Sequence, residues 1–182
     1  MLFRSDYLAA QVHFLRKNYN VAEQLLSKIQ PGDPTYFYAQ YTTSIINIEN
    51  KKDQVAIQNL MNIVSDTTQD PSVTLLQDAA NTKLGHLYFE QTELRKAVEA
   101  YMRVPVGSPH GDEALLGTAW SWIKTGVQEG RQQCIASVNR LIANHPQSPL
   151  VPEAHLVRGY AYMLERQFSD AVSDLEKSLE LA

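Results

Sequence analysis

The residues of this sequence best equipped for chemistry are one cysteine, five histidines and a knot of carboxylates. Cys134 could serve as a nucleophile, but a reactive thiol needs an adjacent base or an electropositive setting. It falls instead in a slot where compact residues recur along the chain, and there a free cysteine behaves as a small hydrophobe. His86, His110, His145 and His155 lie in different segments, with no His-x-x-x-His or Cys-x-x-Cys spacing to set two metal ligands on one face. His110 and His145 read as solvated linker residues, and His13 as a packing residue where an aromatic is expected. Glu90, Glu93 and Glu99, interleaved with Arg95 and Lys96, form the pattern of a solvated helix surface rather than an acid–base pair. There is no phosphate-cradling glycine loop and no nucleophile elbow. The expectation is a chain without catalytic residues, metal or cofactor.

Composition narrows the partners. A chain of 182 residues that is 44% hydrophobic and 20% charged can bury roughly two thirds of its unfolded surface as an ordinary soluble structure. Its 16 Lys and Arg against 20 Asp and Glu give a net charge of -4, which argues against nucleic acid as a partner. No apolar run reaches the ~18 residues of a membrane span, and Arg4 and Asp6 interrupt the start where a secretory signal needs an apolar core. Membrane insertion is therefore not expected. A lone cysteine fits the cytoplasm or the periplasm and cell envelope equally, so the compartment stays open.

The elements that must position any functional side chain are helices. Pro31, Pro34, Pro71, Pro109, Pro146, Pro149 and Pro152 mark helix starts or loops, and Pro105 closes a helix. Between them apolar residues recur three and four apart, as in Leu8, Val12 and Leu15, then Val21, Leu25, Leu26 and Ile29. The pattern predicts ten helices, near 3–17, 19–30, 34–50, 52–66, 71–91, 94–105, 111–126, 129–145, 149–165 and 168–181, and no strand.

A repeat underlies them. Counting from Gly85, Tyr88, Ala97, Tyr101, Val104 and Pro109 fall at +3, +12, +16, +19 and +24. The same ruler laid on Gly159 finds Tyr162, Ala171, Leu175 and Ser178; on Ala10 it finds His13, Ala22, Leu26, Ile29 and Pro34; on Ser44 it finds Asn47, Ala56, Leu60 and Ile63. The fourth unit, Ala119 and Trp122 followed by Cys134, Val138, Leu141 and Pro146, fits if its turn holds three extra residues. Compact residues on first helices (Ala10, Ser44, Gly85, Ala119, Gly159) and second helices (Ala22, Ala56, Ala97, Cys134, Ala171) let paired rods approach closely. A helical glycine costs about 0.5–1 kcal/mol relative to alanine, so Gly85 and Gly159 make sense where close packing offsets that cost.

Leu84-Gly85-x-x-Tyr88 with Ala97, Tyr101 and Pro109 resembles the tetratricopeptide-repeat family, and the weaker units extend the resemblance over essentially the whole chain. The linkers Ser108-Pro109-His110-Gly111-Asp112-Glu113-Ala114 and 144–154 are similar to those of bacterial cell-envelope members, although the lipobox and signal peptide of such proteins are missing. The resemblance implies an all-α, right-handed superhelix of five helical hairpins, with repeats at about 3–33, 34–70, 71–109, 110–148 and 149–182 in a single solenoid domain. It also implies that first helices line a concave surface.

The stripe facing that surface, at -3, +1 and +4 from each compact residue, reads Tyr7, Gln11 and Phe14; Tyr41, Ile45 and Ile48; Thr82, His86 and Phe89; Leu116, Trp120 and Ile123; Leu156, Tyr160 and Met163, with Tyr38 one turn before Tyr41. Tyr7, Phe14, Tyr38, Tyr41, His86, Phe89, Trp120, Ile123, Tyr160 and Met163 are the expected partner-binding residues, suited to hydrophobic anchors of another polypeptide. The family's carboxylate clamp of Lys, Arg and Asn is not reproduced at Tyr7, Gln11, Thr42, Ala79 and Lys83, so a chaperone tail is not the expected guest. The expected function is a protein–protein interaction scaffold; the alternative is a recognition module of a larger enzyme whose chemistry lies elsewhere. Leu175, Leu179 and Leu181 run to Ala182 without a polar cap. The chain is thus expected to be a fragment of a longer protein, or to pair with another copy through its last helix.

Overall fold

The computed structural model describes residues 5–67 and 70–182, and every regular element among them is an α-helix. In chain order these are α1 (Ser5–Leu15), α2 (Tyr19–Leu26), α3 (Tyr36–Glu49), α4 (Asp53–Val64), α5 (Pro71–Glu90), α6 (Leu94–Met102), α7 (Gly111–Lys124), α8 (Gln128–Asn144), α9 (Val151–Leu164) and α10 (Phe168–Leu181). Residues 3 and 4 of the first expected helix lie outside the described residues. Contacts gather the chain into two compact units, one ending at Ala80 and the other running Asn81–Ala182, so the division falls within α5.

In the first unit α1 packs on α2 and α3 on α4. The ruler's compact residues are the closest-packed points: Ala10, Ala22, Ser44 and Ala56 are fully buried, with Leu26, Ile29 and Ile46 around them. Gln77, on the first half of α5, donates its side-chain amide to the carbonyls of Ile63 and Asp66 at 3.1 and 2.8 Å. These carbonyls lie at and just beyond the end of α4, so the contact ties α5 to that hairpin.

In the second unit the same logic is more acute. A Cβ added at Gly85 would stand 2.4 Å from the Tyr101 ring, and one added at Gly117 would also stand 2.4 Å from it. The phenol of α6 is thus seated between a bare patch of α5 and a bare patch of α7, and Tyr101 is the bulkiest fully buried side chain. A Cβ added at Gly159 would stand 3.0 Å from Leu175. Ala119, Cys134, Val138, Leu141, Ala154 and Val157 continue the core through α7, α8 and α9.

Every hairpin turns in three residues, and each turn holds one residue in the left-handed conformation: Lys17, Lys51, Thr92, Gly126 and Arg166, with φ of 58°, 57°, 60°, 73° and 60°. Backbone bonds such as Lys52 N–H to Asn47 O (2.8 Å) and Glu93 N–H to Tyr88 O (2.8 Å) close these helix ends. The three extra residues expected in the fourth turn are not there. They lengthen α8 instead, which starts at Gln128 and gains nearly one helical turn, and Gly130 lets that turn approach the Trp122 carbonyl, where a Cβ would stand at 2.6 Å.

First helices open on a shared device that the prolines only half revealed. Asp33, Asp70, Ser108 and Ser148 each precede a proline, and each accepts the backbone N–H two residues on, from Thr35, Ser72, His110 and Leu150. One linker residue departs from expectation: His145 is not solvated but donates Nε2–H to the Val106 carbonyl at 2.6 Å. Gly111 leaves room for this contact, since a Cβ there would stand 2.2 Å from the Val106 oxygen and 2.9 Å from His145 Nε2.

Gly85→Ala and Gly117→Ala should each lower unfolding free energy by about 1–3 kcal/mol, because Tyr101 cannot retreat from a fully packed site. Urea denaturation checks this, and unchanged midpoints would refute the seating of Tyr101. In the opposite direction, Lys51→Gly and Arg166→Gly should raise stability by about 0.5–1 kcal/mol each by relieving left-handed strain, read as a higher melting temperature.

Candidate binding surface

First helices present side chains because their opposite faces are committed to the hairpin. In the first unit, Tyr7 on α1 meets Tyr38 on α3 edge to face, with ring centroids 6.2 Å apart. Gln11 donates to Thr42 Oγ1 at 2.7 Å, and Thr42 donates in turn to the Tyr38 carbonyl at 3.0 Å. Burial holds the Tyr7 phenol above its ordinary pKa of 10.0, with hydrogen bonds to Thr42 and Gln11 opposing. Phe14 turns to Tyr19 of α2, at 6.0 Å between ring centroids, and Tyr41 is half-buried on α3. Four of the expected residues therefore lie on half-buried faces of this unit, two of them in direct contact.

In the second unit the expected residues His86, Phe89 and Trp120 come together around a cleft of about 280 Å³, with Glu113, Leu116, Leu150 and Glu153 completing its walls. His86 bridges three helices: its Nε2–H donates to Glu113 Oε1 on α7 at 2.8 Å, and its Nδ1 accepts from the Tyr101 hydroxyl on α6 at 2.8 Å. The Tyr101 and His86 rings meet at 5.4 Å and 77°. Burial, with the nearby charges of Glu113 and Glu90, drives the Tyr101 phenol far above its usual range, so it stays a neutral donor. The hydrogen bond from His86 is the main reason the Glu113 carboxyl sits below its ordinary 4.5, burial opposing and the charges of His86, Lys83 and His110 assisting.

Trp120 Nε1–H donates to Glu153 Oε1 of α9 at 2.7 Å. The two contacts are one contact repeated. His86 and Trp120 each directly follow the compact residue of a first helix, and Glu113 and Glu153 each precede the next compact residue by six. Lys124 places its ammonium 4.3 Å over the Phe89 ring, a cation–π contact between α5 and α7. Further along, Ile123 is half-buried against the core, while Tyr160 and Met163 are 41% and 44% exposed. Two stripe positions are buried, Thr82 and Leu116, at 1% and 6% exposure, although Leu116 still lines the cleft.

Reading the stripe alone missed Glu113, Glu153 and the part Tyr101 plays. The signal was present in the two linkers, since Ser-Pro-x-x-x-Glu-Ala occurs at 108–114 and again at 148–154. A buried ionic network carries no mark in the spacing. Asp174 of α10 takes Arg158 Nε at 2.6 Å and Nη2 at 2.7 Å and His155 Nδ1 at 2.8 Å, while Arg158 Nη1 reaches Asn139 of α8. Burial alone would raise the Asp174 carboxyl, but the hydrogen bonds from Arg158 and His155 outweigh it and hold it below 3.8. Cys134 is fully buried, and desolvation pushes its thiol up to about 12. Among the described residues no three of His, Cys, Asp and Glu converge as a metal site, and no helix is long and apolar enough to cross a membrane.

The chain folds as an all-helical solenoid of tetratricopeptide-repeat type, and solved structures of this class match it over nearly its full length. A crystal structure of MamA superimposes with a TM-score of 0.76 at 18% identity, covering 100% of this chain and 96% of that one. MamA of AMB-1 gives 0.73 at 15% identity, with 97% and 89% covered, and MamA (41-end) from Desulfovibrio magneticus RS-1 gives 0.72 at 14%, with 97% and 92% covered. No family model matches the sequence, and no curated protein matches it. At these identities the likeness establishes the fold.

Glu113 and Asp174 set the expected acid response. Both are depressed in the folded chain, so their stabilisation is complete above their ordinary values of 4.5 and 3.8 and is lost as pH falls through the lower folded values. Urea midpoints should therefore fall as the medium is acidified below that range, and Asp174→Asn should show a shallower fall; an equal slope would remove Asp174 from the acid response.

Proposed function

We propose that this chain is a protein–protein interaction scaffold that holds a segment of another polypeptide along the apolar and aromatic face of its first helices, without catalysing a reaction. The observation that carries this is the cleft of the second unit, where Phe89 and Trp120 stand half-buried on adjacent first helices with Leu116 and Leu150 beneath. Rigid aromatics placed on helices offer large contact area at small entropic loss. In this reading His86, Ile123, Tyr160 and Met163 extend the binding face of the second unit, and Tyr7, Phe14, Tyr38 and Tyr41 form a binding face on the first.

A non-catalytic role accords with the state of the one thiol, which is sealed in the core and protonated throughout the physiological range. Exposed Phe168, Val172 and Leu179 on α10, the last at 81%, are where a second copy would join if the chain self-associates.

Phe89→Ala and Trp120→Ala test the groove. Each should cut partner capture by affinity pull-down about tenfold or more while leaving helical content intact. Undiminished capture by both variants would refute the groove while leaving the fold untouched.

A further inference from the structure

The proposed groove leaves open what chemistry its guest carries, and the walls of the cleft answer that. Phe89, Leu116, Trp120 and Leu150 make it apolar, yet two carboxylates, Glu113 and Glu153, open into it. Each engages the chain through Oε1, on His86 Nε2 and Trp120 Nε1 respectively. Glu113 Oε2 stands 4.0 Å from His110 Nδ1, too long for a hydrogen bond. A carboxylate offers more acceptor sites than one donor fills, so both groups keep acceptor capacity, and the hydrogen bond from His86 keeps Glu113 ionised.

An aliphatic or aromatic anchor entering this space would strip water from two carboxylates and return no donor, an unfavourable exchange. An acidic side chain would be repelled. A cation has both of its needs met, since a guanidinium can stack on an indole face and donate to carboxylates in its own plane. The protein already seats one cation on this wall, the Lys124 ammonium over Phe89. Lys124, together with Lys83 near Glu113, keeps the region from being a general sink for positive charge. A flat guanidinium, able to stack on an aromatic ring and donate to carboxylates at once, meets the demands of this cleft best.

Resting on the groove reading, we infer that the cleft between α5, α7 and α9 is an arginine pocket: it recognises a partner segment through one arginine side chain held by Glu113, Glu153 and Trp120. The sign is opposite to that of the basic clamp whose residues the sequence lacks.

Blocked tripeptides Ac-Ala-Xaa-Ala-NH2, with Xaa as Arg, Lys, citrulline, Leu or Glu, probe this directly against the Trp120 indole N–H signal in NMR. Trp122, which lines a separate crevice beside Arg140, serves as the internal control. The arginine peptide should shift the Trp120 signal saturably, lysine less, and citrulline, leucine and glutamate little. Glu153→Gln, at an exposed position, should weaken the arginine response about tenfold, and Glu113→Gln should do the same where it folds. If leucine or citrulline matches arginine, the charge inference is overturned while the groove reading stands. If no peptide moves the Trp120 signal, the pocket is overturned, and the groove is judged separately by the Phe89 and Trp120 variants in partner capture.

Discussion

Two helices can lie in contact only where one of them gives up side-chain volume, and the second unit turns on a single case of that exclusion. Tyr101 needs two vacancies, one in each neighbouring first helix, and Gly85 and Gly117 supply them. With the ring seated, its hydroxyl meets His86, and His86 can then reach Glu113 of the next hairpin. Packing and polar contact are thus consecutive steps. The glycines admit the ring, the ring fixes the imidazole, and the imidazole orients the carboxylate that lines the cleft. An alanine at either glycine would displace the whole sequence of contacts.

The repeated register explains why the same geometry recurs with different chemistry. At the position after the compact residue, one hairpin offers an imidazole and the next an indole, and both donate a ring N–H to a glutamate six residues before the following compact residue. Because the donor belongs to one hairpin and the acceptor to the next, the contact helps set the angle between them. The Asp174, Arg158 and His155 network does the corresponding work inside the last hairpin, where a buried carboxylate is tolerable because three donors surround it.

Most of the architecture was legible from residue spacing, because compact residues at fixed intervals are a steric demand and steric demands leave few alternatives. All ten compact positions of the ruler are buried, and helix existence followed from periodicity and proline. The insertion in the fourth unit was misplaced for an instructive reason. Counting between Ala119 and Cys134 reveals that residues are added but not whether they loosen a turn or extend a helix. A three-residue addition, being close to one helical turn, is absorbed most easily by the helix. His145 was misread because a linker histidine carries no sequence mark of the carbonyl it will meet 39 residues away.

The candidate surface was less legible, since spacing along one helix says which side chains share a face and nothing about what crosses from the next. Thr82 shares the stripe with His86 by spacing yet is buried, whereas Glu113 and Glu153 lie off the stripe and line the cleft. An aromatic stripe by itself predicts a hydrophobic guest. Two carboxylates in its wall change that prediction, because stripping water from a charge without returning a donor weighs more than the contact area one apolar side chain adds. Specificity here is decided by the polar minority of the wall, and that minority comes from helix starts, the segments that a search for apolar periodicity passes over.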